Sequence, residues 1–310
     1  MFGAVKKNAP RIAPPNPHWE QDLALRDAPP QAKADAWDEL NDLDENYLEF
    51  SMASDILRGL MFCCGLMLLG FAGWFASMTI EMVSHSQEYD LYFYSGLLMP
   101  AGMILVSVFF FRFDLRLPRD RPVRFNRRQG KVYASYYTWN HNPFGRWSGG
   151  VKVFDWNTLQ AEVTKQTSAS GELITQHYAL DLVACKPGTF EEVDRFRLQQ
   201  GAVTTKQYEE QWELIRRYME HGLEGLPPQH LRNRTPPFID CLLFAMPWFS
   251  PTDLGRRTRK RMKGFLGAFM MFLLSLLFPM WLVFGLGNFV VMRLAPESSW
   301  PPGVDEESKR

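Results

Sequence analysis

Nothing in this sequence arranges cysteine or histidine for metal or redox work. Cys63 and Cys64 are adjacent inside an apolar block, and Cys185 and Cys241 lie far apart with no CxxC spacing. That excludes a disulfide scaffold or a zinc ribbon and leaves small packing residues. His18, His85, His141, His177, His221 and His230 are scattered without ligand spacing. Also missing are GxSxG, HExxH, SxxK, the P-loop and GxGxxG, through which the commonest hydrolases, zinc peptidases and nucleotide-binding enzymes work. No two carboxylates are singled out by a motif. No catalytic residue, metal or cofactor is therefore expected, and the chain reads as not an enzyme.

Net charge is absent too. The 34 basic and 34 acidic residues cancel, so global charge says nothing about partners. The first 30 residues hold six prolines and no apolar run, which excludes a cleavable signal peptide and makes the first apolar helix an anchor. Residues 1–34 read as a disordered, proline-rich N-terminus.

What is present is strong segregation. Residues 59–80, 91–111 and 264–292 are free of charge over 22, 21 and 29 positions. About 20 apolar helical residues cross a bilayer, so each block predicts a transmembrane helix. Pro279, Gly285 and Gly287 predict a kink or tilt in the third. The connector 81–90 has no Lys or Arg, whereas 112–131 hold eight bases against two acids and 256–263 hold six bases. Positive collars stay in the cytoplasm. The expected layout is a multi-pass bacterial inner-membrane protein with a cytoplasmic N-terminus and a periplasmic tail, 293–310. Mid-membrane ionisable groups are missing, which argues against ion-coupled transport. Gly65, Gly70, Gly73, Gly96 and Gly102 read as helix-packing positions.

Between the second and third spans, residues 113–225 predict a cytosolic α+β domain. Alternation marks strands at 121–126, 131–139, 151–156, 159–166 and 172–185, with a turn at Gly130. Thr204 and Gln207 resemble a capping box, and Gly222 a C-terminal cap. Tyr208, Trp212, Ile215 and Met219 form one stripe of the helix between them, with Glu209, Glu210, Glu213, Arg216, Arg217 and Glu220 opposite. The expected fold is an antiparallel sheet closed by one amphipathic helix, broadly pleckstrin-homology-like in element order. Residues 226–263 read as a Pro/aromatic and basic return to the membrane.

Three features are candidates for contact. Phe144, Arg146 and Trp147 sit in a flexible loop, a composition found at hot spots, though a loop folding its aromatics onto the sheet is the favoured explanation. Arg127, Arg128, Arg256, Arg257, Arg259 and Lys260 are candidates for anionic lipid, or simply topology determinants. Their place at membrane borders argues against nucleic acid. Residues 35–50 hold seven acids and no base, and Trp37, Leu40, Leu43, Tyr47 and Phe50 recur at three- and four-residue steps. Residues 35–58 therefore predict an acidic cytoplasmic helix that could clasp the basic collars, for example Asp42 and Asp44 with Arg127 and Arg128.

The stretch Arg116–Tyr133, then Phe154-Asp-Trp156, then Trp212–Gly222 with Leu226-Pro227, resembles an uncharacterised group of proteobacterial inner-membrane proteins associated with type VI secretion toxins, often pore-forming ones. The resemblance spans about residues 50–295 and implies an immunity role with a cognate toxin as partner. It attaches no catalytic residues. A membrane-anchored adaptor or sensor, binding a protein partner or anionic lipid, suits the same layout, and a homo-oligomer is compatible with either. A lipid-acting membrane enzyme is the weaker third reading.

Overall fold

The computed structural model describes residues 9–53, 57–86, 91–138, 145, 147–170 and 173–309. Two antiparallel sheets form the folded domain. One has the order β1-β7-β8-β9 and the other β2-β3-β4-β5-β6. The strands are β1 (Trp19–Asp22), β2 (Leu40–Leu43), β3 (Tyr47–Phe50), β4 (Val123–Asn126), β5 (Lys131–Thr138), β6 (Ser148–Asp155), β7 (Leu159–Ser170), β8 (Leu173–Cys185) and β9 (Glu192–Ala202). β4 returns into β5 with Asn126 opposite Lys131, around Gly130 at φ 63°. The expected single sheet is thus two, and β9 is an added strand.

Helix α3 (Lys206–His221) lies against the core that the sheets share. Leu48, Phe50, Phe125 and Val132 of one sheet and Leu159, Leu180 and Leu182 of the other are fully buried, as are Tyr208, Ile215 and Tyr218 of α3. Full burial of such side chains contributes about 1.5–3 kcal/mol each. The N-cap of α3 is Thr205 rather than Thr204. Its side chain makes no cap bond and donates instead to Glu209 Oε1 at 3.0 Å. Gly222 closes the helix at φ 70°, as expected.

Residues 35–58 do not form a helix. They hold β2 and β3, which add to the sheet beside β4. β3 reads Tyr-Leu-Glu-Phe, and its apolar ends, Tyr47 and Phe50, stand three residues apart, which mimicked a helical stripe. Nor are residues 9–34 disordered. β1 pairs with β7, and the chain after it is held on α3. Trp212 Nε1 donates to Ala24 O at 2.7 Å, and Arg216 Nη1 donates to the carbonyls of Leu25, Arg26 and Ala28 at 2.5, 3.1 and 2.8 Å. That strap buries Glu210, Glu213 and Arg216, which the helical stripe had placed on an open face.

Two helices, α1 (Leu60–Ser86) and α2 (Leu91–Arg116), are long and apolar enough to cross a membrane. They pack as a hairpin. A Cβ on Gly65 would lie 3.0 Å from the Phe111 ring and one on Gly96 2.8 Å from Thr79, which is the close packing that small residues permit. Gly70, Gly73 and Gly102 meet nothing within 4 Å, so three of the five expected packing glycines face away.

The third apolar block is broken. α6 (Phe265–Ser275) and α7 (Phe278–Leu294) are bent by 83° at residues 276–277. At 1.5 Å per residue, α6 reaches about 16 Å and α7 about 25 Å, each short of a hydrocarbon core of about 30 Å. Both ends of the pair sit at the domain. Before α6, α5 (Asp253–Arg261) is ion-paired to Asp35 and Asp38. After α7, Arg119 Nε donates to Ala295 O at 2.8 Å and Arg119 Nη2 to Arg293 O at 3.0 Å. The tail then continues along the five-stranded sheet, ending in α8 (Pro302–Lys309), where Asn126 Nδ2 donates to Ser308 O at 2.8 Å. The tail expected on the far side thus touches the domain in the structure.

Candidate functional site at the membrane–domain junction

The two ends of the α1–α2 hairpin cap each other. An unpaired helix terminus leaves N–H or C=O groups exposed, and here each helix supplies the other's partner. Asp114 Oδ2 of α2 accepts from the amides of Gly59 and Phe62 at 3.1 and 2.7 Å. Arg58, buried before α1, donates to Asp114 O and Leu117 O at 3.2 and 3.1 Å, and to Pro118 O. Carboxylate at the start and guanidinium at the end both match the helix dipoles.

Helix α7 lies across this knot. Asn288 Nδ2 donates to Arg58 O at 2.9 Å, and Gly59 and Gly287 bring the backbones together. A Cβ on Gly59 would sit 2.2 Å from Asn288 N, and one on Gly287 2.3 Å from Cys63 Sγ. The other side of α7 rests on α4 (Phe238–Leu242) and the 3-10 turn Pro247–Phe249. Edge-on ring pairs run along it: Phe249 with Phe278 at 5.8 Å, Phe244 with Trp281 at 6.5 Å and Phe238 with Phe289 at 5.0 Å. The Pro/aromatic return expected at 226–263 is therefore a platform for α7.

The acidic segment does meet the basic segment, through other residues than Asp42, Asp44, Arg127 and Arg128. Arg257 pairs with Asp38 at 2.8 Å, and Arg261 pairs with Asp38 and Asp35 while lying 4.8 Å from the Trp37 ring. Burial pushes the Asp35 carboxyl up, but bonds from the Trp37 amide and Lys33, with Arg261 nearby, outweigh it and hold it below its ordinary range. Trp37 and Asp38 take positive φ of 58° and 64°, a costly conformation for residues with a Cβ. They line a cleft of about 760 Å³ with Arg257, Arg261 and Asp240.

Of the expected contact residues, Phe144 and Arg146 lie outside the described residues. Trp147 folds inward, as the alternative reading of its loop allowed. Arg112 lies 5.1 Å from its ring, and Phe113 and Tyr137 meet it edge-on at 6.4 Å. This fixes the Tyr137 end of β5 beside α2. The Arg127–Arg128 turn is at the other end of that strand, about 23 Å away at 3.3 Å per residue, and Arg127 donates to Glu220 O at 3.5 Å. Both arginines therefore lie at the opposite end of β5 from the Trp147 contact with α2. Arg257 is spent on Asp38. Arg259 donates to Ser250 O at 3.1 Å and to Trp248 O, and Arg256 pairs with Asp253. Arg256, Arg259 and Lys260 are exposed on α5.

Cys63, Cys185 and Cys241 are buried free thiols and Cys64 is half-buried. Among the described residues, no three His, Cys, Asp or Glu side chains gather as a metal site. The mutual caps and the α7 platform escaped sequence reading. The one visible signal was Arg58 at the edge of one charge-free block and Asp114 just beyond another.

Residues 101–310 match the model of a family described as a family of unknown function, DUF6708. The match takes in most of α2, most of the strands, α7 and the tail, and leaves out the strap and β1–β3. No curated protein and no solved structure matches.

Proposed function

The chain belongs to this family of unknown function, and we propose that it is a non-enzymatic immunity protein of the bacterial inner membrane, neutralising a membrane-active toxin of type VI secretion. The resemblance of its arginine-rich and tryptophan blocks motivates the reading. The observation that carries it is a membrane hairpin locked to a folded domain while its outer faces stay open. Leu66, Met67, Trp74, Leu98 and Leu105 are all exposed apolar side chains on α1 and α2. Such faces are where a bilayer-embedded partner packs, because helix association in lipid depends on surface fit. The basic collars favour a cytoplasmic domain with the α1–α2 connector outside, and the tail's contacts with the domain favour the same side for it. Arg256, Arg259 and Lys260 then face anionic headgroups, at about 1 kcal/mol per base.

The test is toxicity rescue. Cells lacking the protein should depolarise when the adjacent toxin gene is expressed, and the full chain should restore the potential. Trp74→Ala with Leu66→Ala and Leu105→Ala should weaken rescue at unchanged protein level. Failure of the full chain to protect against any adjacent toxin refutes the reading. A membrane-anchored adaptor is the second reading, favoured by one observation: a sheet face already occupied by a peptide segment of the chain itself.

A further inference from the structure

The outer face of the five-stranded sheet is covered by the chain's own C-terminus, held there almost entirely by polar contacts. Trp300 lies 4.7 Å from the Arg124 guanidinium and donates its indole N–H to Glu49 Oε2 at 3.0 Å. Arg124 Nη1 reaches Asp305 Oδ1 at 3.0 Å and Ser308 Oγ at 2.5 Å. Gln129 Nε2 donates to Glu307 O at 2.7 Å, while Lys131 Nζ and the Tyr133 hydroxyl donate to Glu307 Oε1 at 2.9 and 3.0 Å.

The sheet does not need this segment to satisfy its own charges. Arg124 remains paired with Glu49 Oε2, at 3.1 Å from Nε and 2.7 Å from Nη2, and the Tyr47 ring lies 4.7 Å from it. Glu49 Oε1 also accepts from Asn41 and Arg234 at 3.2 and 3.3 Å. The Tyr47 hydroxyl donates to Asp42 at 2.7 Å and that of Tyr133 to Gln129 at 2.9 Å. Breaking a buried ion pair is costly because it strands a charge; lifting the tail strands none, and water replaces the bonds it made. The apolar core lies on the opposite side of these strands, in Leu48, Phe50, Val123 and Phe125. Residues 298–301, outside any helix, link the segment to Ala295 and Pro296, which Arg119 holds.

The face is also selective by charge. It offers Arg124 and Lys131, and Arg127 and Arg128 outnumber Glu45 in a recess at its end, where Asn46 Nδ2 donates to Lys309 O at 3.3 Å. Its acids are engaged, Glu49 by Arg124 and Asp42 by the Tyr47 hydroxyl. We propose that this face is a recognition site for an acidic helical segment of a partner protein, led by an aromatic residue. Residues 300–309 occupy it as an internal ligand that the partner displaces. The chemistry recognised is written in the occupant: Trp300 on the guanidinium, then Asp305 and Glu307 on Arg124 and Lys131. This is independent of the immunity reading, since the test uses no toxin.

The probe is a labelled synthetic peptide of residues 296–310, titrated against the full chain in nanodiscs. Wild type, its face filled, should bind weakly. W300A/D305A/E307A, its own tail loosened, should bind at least tenfold more tightly. Adding Arg124→Gln, or separately Lys131→Glu, should cancel that gain, and raising salt should reduce it. Equal affinity for wild type and the triple variant, or binding that survives both basic substitutions, overturns the proposal. Hydrogen exchange on wild type is a second measurement that needs no variant. Amides of α8 should exchange at least a hundredfold faster than those of β4; equal protection means the tail is part of the core and overturns it too.

Discussion

Asp114 caps the first turn of α1: its Oδ2 takes the Phe62 amide at 2.7 Å, across the hairpin from its own helix. The same oxygen accepts from Gly59 N at 3.1 Å. Asp114→Ala removes both acceptors and is expected to lower stability by about 1–2 kcal/mol. Asp114→Asn keeps a carbonyl oxygen and should lose less. Unfolding in detergent checks the order; equal and negligible losses would show that the caps do not hold the hairpin.

The bent α6–α7 pair makes a prediction about sides. With both of its ends at the domain, a reporter fused after Arg310 should share a compartment with one fused before Met1. A reporter in the connector at 87–90 should give the opposite signal. If the C-terminal reporter joins the connector instead, α6 and α7 straighten into a third span, and the tail cannot rest on the sheet.

The two long apolar helices were legible because absence of charge over about 20 residues is a property of local sequence. So were β4, β5, β7 and β8, whose alternation reports one buried face, and α3, with its stripe from Tyr208 to Met219. β3 was not. Leu48 and Phe50 face the core while Tyr47 and Glu49 are buried under Trp300, 250 positions onward, and nothing local announces that cover. The break at 276–277 was equally hidden. Pro279 signalled a kink, but its angle depends on the platform of Phe238, Phe244 and Phe249. At the junction, nothing local marks Arg58 and Asp114 as caps, because their roles depend on which helix ends meet.

The crossing of α1 and α7 depends on glycine at one point. A Cβ on Gly287 would lie 2.3 Å from Cys63 Sγ and 2.8 Å from Gly59 O. Gly287→Val should therefore cost about 1–3 kcal/mol or more through overpacking. Gly73→Ala, with nothing within 4 Å, should stay within about 0.5 kcal/mol of wild type. Comparable losses at the two sites would mean that this contact does not fix the helices.

Arg216 carries the N-terminal strap. It donates to three carbonyls of that strap and pairs with Glu213 Oε2 at 2.6 Å. Arg216→Ala should cost roughly 3 kcal/mol, since it leaves buried acceptors without a charged donor. Glu213 keeps Arg217 at 2.7 Å, so α3 should persist while the strap loosens. Trypsin should then cut first at Arg26 and Lys33. Cleavage that begins elsewhere, at the wild-type rate, would show the strap held by other contacts.

Docking of the C-terminal segment should fail in acid, not near neutrality. Bonds from Lys131 and Tyr133 hold the Glu307 carboxyl below its ordinary 4.5. Burial pushes Asp305 up, but bonds from Lys309 and Arg124 outweigh it and leave it below 3.8. A carboxyl depressed in the docked state stabilises docking fully above its free value, and that contribution disappears as pH falls through the docked value. Protection of the α8 amides, corrected for the intrinsic exchange rate, should therefore be level from neutrality to about pH 5 and fall below that. Glu307→Gln and Asp305→Asn should each lower protection near neutrality and flatten the acid fall, because the uncharged amide has no proton left to gain. Wild-type protection that persists through the acid window, with β4 intact, would mean that Trp300 alone holds the segment and that the two carboxylates only accompany it.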